Sequence, residues 1–208
     1  MDRNRVNKAA RIGKVLLVIS FVLQLIFLVL SYSNYFSSIA QVDSTFSWLS
    51  SFTDTMAYAT YITFGSCATQ FFLIRLFSIQ SSGQSSSKYP YFFFCLAVTI
   101  FDNWYLIDAL IKRESLNSAD TAHLAFDLVL TILILIAIMA NSRFLGTLCA
   151  LGAVAMTVYN VRVLGNLNYI VSKPVVTAMV ICEVLYGLGL TFCLLGIRKP
   201  AEYQDYSS

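Results

Sequence analysis

The stretch YPYFFFCLAVTIFDNWYLIDALIKRESLNSADTAHLAFDLVLTILILIAIMAN, residues 89–141, decides how the chain is read. It holds two apolar runs, each of about 20 residues, the length that crosses the hydrocarbon layer of a bilayer as a helix. Inside or beside those runs sit Asp102, Asn103, Asp108, His123 and Asp127. A carboxylate halfway along a membrane helix costs about 2.5 to 3.5 kcal/mol on insertion scales, so it is expected to face protein or water. The apolar runs therefore set the fold class, and the polar groups within them mark where any activity sits.

The rest of the chain has the same character. Of its 208 residues 58% are hydrophobic and 12% charged, and the mean hydropathy is +0.71. Soluble domains carry about 25% charged residues. Apolar segments fall at 13–31, 55–78, 90–111, 121–140, 144–164 and 174–197. The expected fold is all-α: a polytopic membrane protein of six transmembrane helices. Its domain, 15–197, lies between a basic cytoplasmic arm, 1–14, and a cytoplasmic tail, 198–208. The arm followed by an apolar run resembles a secretory signal, but the run is long for one and reads as an uncleaved first span.

Charge placement orients the spans, because Lys and Arg accumulate on the cytoplasmic side. With both termini inside, that side collects Arg3, Arg5, Lys8, Arg11, Lys14, Arg75, Lys88, Arg143, Arg198 and Lys199. The outer side holds Lys112, Arg113, Arg162 and Lys173. Between the first two spans Phe36, Ile39, Val42, Phe46, Leu49 and Phe52 recur at steps of three and four, the period of one helical face. A short interfacial helix is expected there, with Trp48 at the headgroups and Arg3, Arg5, Lys8, Arg11 and Lys14 against anionic lipid. The location that follows is an integral membrane protein of the bacterial inner (plasma) membrane, in contact with lipid and not nucleic acid.

The five cysteines, Cys67, Cys95, Cys149, Cys182 and Cys193, fall inside apolar segments with no Cys-x-x-Cys spacing, so they read as small apolar residues and not as a metal or redox site. No cofactor, metal or catalytic residue is expected. One histidine without a Ser or Cys nucleophile pattern disfavours an intramembrane enzyme.

Counting from the outer end of each span, Asp102 and Glu183 lie roughly 14 Å deep and Asp127 roughly 9 Å, with Asn160 and Arg162 in about the outermost turn. The candidate site is therefore a polar cluster of Asp102, Asn103, Asp108, His123, Asp127, Asn160, Arg162 and Glu183 in the outer half of the membrane. Asp108 precedes Lys112 by one turn and reads as a surface ion pair, His123 and Asp127 share a face, and Arg162 is a candidate counter-ion for Asp127 or Asp108. Two functions fit such a cluster. One is a non-enzymatic subunit, a sensor, anchor or effector in a homo-oligomer or larger membrane complex, whose polar groups fix packing. The other is a small ion, proton or solute transporter using Asp102, Asp127 and Glu183.

Overall fold

The computed structural model describes residues 3–40, 64–82, 88–112, 118–166 and 173–197, and all regular structure among them is α-helical. The helices are α1 (Arg3–Ala40), α2 (Phe64–Ser82), α3 (Lys88–Asp102), α4 (Trp104–Lys112), α5 (Ser118–Met139), α6 (Arg143–Asn166) and α7 (Lys173–Leu195). Among the described residues three stretches are long and apolar enough to cross a membrane: Lys8–Ile26, Arg143–Gly165 and Val176–Leu195. Lys88–Phe101 and Ala125–Met139 are apolar but shorter. The first part of the expected second span, 55–63, lies outside the described residues, as do Trp48 and the tail.

Two expected boundaries shift. α1 is a single rod of 38 residues, so the basic arm is helical from Arg3 and Phe36 and Ile39 continue the first helix instead of opening a separate one. No glycine or proline interrupts residues 14–40, so neither of those helix breakers stands at the expected boundary. The third segment, by contrast, is divided at Asn103. There the Thr99 carbonyl accepts both the Asn103 amide N–H (3.1 Å) and the Asn103 side-chain Nδ2 (2.9 Å), while Thr99 Oγ1 donates to the Cys95 carbonyl (2.8 Å). Side chains that bond the preceding turn loosen the helical ladder and bend it.

A three-residue reversal, Ala140 to Ser142, joins α5 to α6. Ser142 N–H donates to the Ala137 carbonyl and Asn141 N–H to the Ile138 carbonyl, with Asn141 at φ 50°. That pair of bonds is the Schellman ending, which asparagine tolerates in the left-handed region. Ser142 Oγ then accepts from Leu145 N–H at 3.3 Å and caps α6.

The helices close a ring in chain order. α1 packs on α2, α2 on α3, α3 on α5, α5 on α6, α6 on α7, and α7 returns to α1 along the most extensive seam among the described residues. Neighbours run antiparallel, as the cross-contacts show. Lys14 Nζ meets Ser81 Oγ at 2.9 Å, Gly196 lies against Ala10, and Gly146 lies against the Leu194 carbonyl. The start of α1, end of α2, start of α3, end of α5, start of α6 and end of α7 thus share one end, which also carries Lys8, Arg11, Lys88 and Arg143. We term it the basic end. The α1–α7 seam depends on small residues: a Cβ on Gly13 would stand 2.7 Å from both Cys193 N and the Gly189 carbonyl oxygen. Backbones approach this closely only where side chains are absent.

Inside the ring the basic half is filled. Leu17, Leu73, Leu76, Ile134, Leu135, Ile138, Leu190, Leu194 and Ile197 are buried in one apolar cluster. The outward faces are apolar too. Val15, Val18, Val22 and Val29 on α1, Phe93 and Phe101 on α3, and Phe144, Leu148, Leu151 and Val158 on α6 are exposed. A helix apolar on all sides belongs in a hydrocarbon environment.

Candidate functional site

Beyond the apolar plug the interior of the ring opens into a cavity of about 200 Å³. Every rod of the ring contributes to its wall: Gln24 from α1, Thr69 and Gln70 from α2, Thr99 from α3 with Asn103 at its bend, Asp127 and Thr131 from α5, Thr157 and Asn160 from α6, Glu183 and Tyr186 from α7. Leu130, Ile134, Ala153, Met156 and Leu190 complete it.

The wall is layered. On α5 the order toward the basic end is Asp127, then Leu130 and Ile134; on α6 it is Asn160, then Met156 and Ala153; on α7 it is Glu183, then Leu190. Asp127, Asn160 and Glu183 come first in each case, with Thr131 and Thr157 further in, and seven helical positions separate Asp127 from Ile134, Asn160 from Ala153 and Glu183 from Leu190, about 10 Å at the helical rise. Hence the cavity has a polar end away from the basic end and an apolar end against the plug.

Local folding holds the polar end in place. Glu183, 8% exposed, accepts a hydrogen bond from Asn160 Nδ2 at 2.8 Å. A Cβ on Gly187, one turn further along α7, would fall on the Thr157 hydroxyl, so glycine there lets α6 approach closely enough for the Asn160–Glu183 bond. Thr99 and Thr157 spend their hydroxyl protons on the preceding turns, donating to the Cys95 and Ala153 carbonyls at 2.8 Å each. A hydroxyl whose proton is so engaged can only accept from an occupant. Gln24 and Gln70 are each 5% exposed, and the Oε1 of each is buried with no hydrogen-bond partner. Such groups are rare in folded proteins and call for an explanation.

Of the polar residues singled out in the sequence, Asn103, Asp127, Asn160 and Glu183 line this one cavity. Asp108 is elsewhere, on α4, paired with Lys112 Nζ at 2.7 Å and partly exposed. Arg162 is exposed on α6 and is not part of the wall. The backbones of Asp102 and His123 lie in α3 and α5; their side chains fall outside the described residues, as do those of Arg3 and Arg5. Gln24, Gln70, Thr99, Thr131 and Tyr186 join the wall without a charge that marks them in the sequence as site residues. A lone amide within the apolar run of α1 is the signal that could have found Gln24. Among the described residues no group of three or more His, Cys, Asp or Glu side chains is placed to hold a metal ion.

A second polar group ties the basic end. Lys88, two residues before the 90–111 segment, is buried and donates to Gln80 Oε1 at 2.8 Å and Asn141 Oδ1 at 3.0 Å, and Gln80 Nε2 donates to the same Asn141 oxygen at 2.5 Å. The ends of α2, α3 and α5 are thereby joined. Burial lowers the Lys88 pKa, since leaving water disfavours the charged ammonium. Nearby, the Arg75 guanidinium rests over the Tyr91 ring, 5.5 Å from its centroid.

No protein-family model matches this chain, and neither a curated protein nor a solved structure matches it.

Proposed function

We propose that the chain is a six-span, non-enzymatic membrane protein with its basic end in the cytoplasm, and that it binds a small solute within its ring of helices. The orientation follows the positive charges gathered at that end. The binding site is the cavity, with Asp127 and Glu183 as its charged groups. Because the apolar plug closes the basic half, the reading is a carrier or a solute sensor and not an open pore.

The observation that carries this reading is the pair of buried glutamine oxygens, Gln24 Oε1 and Gln70 Oε1, left without partners in the wall of a cavity. A polar cluster that serves only to pack helices satisfies its members among themselves. Unfilled acceptors around empty space fit a site that something else completes.

Alkylation tests the reading. Thr131→Cys places a thiol on the cavity wall and Ile138→Cys places one in the plug. In the detergent-solubilised full chain, iodoacetamide is expected to modify Thr131→Cys within minutes and to leave Ile138→Cys intact, read by intact mass against the unmodified chain. Equal inertness of the two thiols would mean that the cavity is closed to solutes, and the packing-subunit reading would take its place.

A further inference from the structure

We infer that the solute is a small primary ammonium ion with a short apolar body, seated with its nitrogen toward Glu183, Gln24 and Gln70. This inference rests on the solute-binding reading above and adds the chemical class of the ligand.

The first ground is the kind of valence left open. Both orphaned atoms are acceptors, Gln24 Oε1 and Gln70 Oε1, on side chains 5% exposed. They belong to one level of the ring. The contacts Lys14–Ser81 and Phe21–Phe71 set the antiparallel register of α1 and α2, and that register puts residue 24 opposite residue 70. Two acceptors at one level of a wall whose threonine hydroxyls also accept are complemented by a group with several N–H donors. An ammonium group offers three donors and no acceptor. Turning either amide over would present its NH₂ instead, but the charged groups of the wall, Asp127 and Glu183, are both acidic and keep the preference for a cation.

The second ground is shape. About 200 Å³ is roughly seven times the 30 Å³ that a water molecule occupies in the liquid, far more than a proton or a bare metal ion fills. The half nearest the plug is walled by Leu130, Ile134, Met156 and Leu190, which stabilise hydrocarbon and not charge. A bare cation would leave that half empty. A quaternary ammonium would fill it but carries no N–H for the two glutamine oxygens.

n-Butylammonium chloride is the probe. Thermal unfolding and isothermal titration of the purified full chain are expected to show saturable binding at least tenfold tighter than for tetramethylammonium, sodium or butyrate. Gln24→Leu with Gln70→Leu is expected to weaken that binding at least tenfold while raising the melting temperature of the ligand-free protein, because two unsatisfied buried acceptors are removed. Glu183→Gln, which keeps an acceptor for Asn160, is expected to weaken binding without loss of the fold. Sodium or tetramethylammonium binding as tightly as the primary amine would overturn the inference and leave the solute-binding reading intact. Absence of amine binding with Thr131→Cys still alkylated would do the same. Absence of both would sink the two together.

Discussion

Asn160 Nδ2 lies 2.8 Å from Glu183 Oε1, so that a carboxyl group deep in α7 is held by an amide from α6. Interhelical hydrogen bonds of this kind contribute about 0.6 to 2 kcal/mol in a membrane setting. Asn160→Leu should lower stability by about that amount, measured by reversible unfolding in mixed detergent micelles. Glu183→Gln should cost less than Glu183→Leu, since a glutamine oxygen still accepts from Asn160. Equal losses for the two would show that the hydrogen bond contributes nothing.

The helix seams predict opposite outcomes for two glycine-to-alanine changes. At Gly13 the added methyl would stand 2.7 Å from backbone atoms of α7, whereas at Gly165 it meets nothing within 4 Å. Overpacking costs about 1 to 3 kcal/mol, so Gly13→Ala should melt markedly earlier. Gly165→Ala, inside α6, should gain about 0.5 to 1 kcal/mol from reduced backbone freedom in the unfolded chain. Melting temperatures of the two variants side by side decide the matter.

Lys88 predicts a pH dependence. Its pKa in the fold lies below the ordinary lysine value of 10.5, so between the two values the unfolded chain holds more protons than the folded one. Stability therefore rises with pH across that window and is flat below it, where the penalty for burying the ammonium is fully present. Lys88→Met should abolish the rise. A slope of opposite sign in the unmodified chain would mean that Gln80 and Asn141 favour the charged form more than burial opposes it.

All five cysteines are buried, from Cys95 at 0% to Cys67 at 4% exposure. Thiolate formation and reagent access both require water. N-ethylmaleimide should add no label to the folded protein in an hour and five labels after denaturation, counted by intact mass. Rapid labelling of Cys95 or Cys193 in the folded state would show that the apolar plug opens.

Much of this arrangement is legible along the chain, and what is not has physical reasons. Asn141 and Ser142 announce the α5–α6 reversal because each residue type suits its own half of the turn. Counting depth from the span ends groups Asp127, Asn160 and Glu183, three residues of the cavity wall, since the helical rise is constant. Depth says nothing about rotation, however, and Arg162, two residues from Asn160, points away from the wall. Gln24 escapes notice, and Gln70 reads only as an interhelical hydrogen-bonding residue, because a neutral amide in an apolar run costs less than a charge. The break at Asn103 coincides with a side chain sharing the Thr99 carbonyl, which spacing alone does not reveal. The ring itself is hidden, because no local pattern says that the first helix meets the last.

That closing seam between α1 and α7 has a consequence for biogenesis. α1 precedes α7 in the chain, so during synthesis it emerges well before the helix that covers it along this seam. The close approach at Gly13 is therefore completed only when α7 arrives. Glu183 lies on that same helix, so this buried acid follows in the chain the Asn160 amide that donates to it.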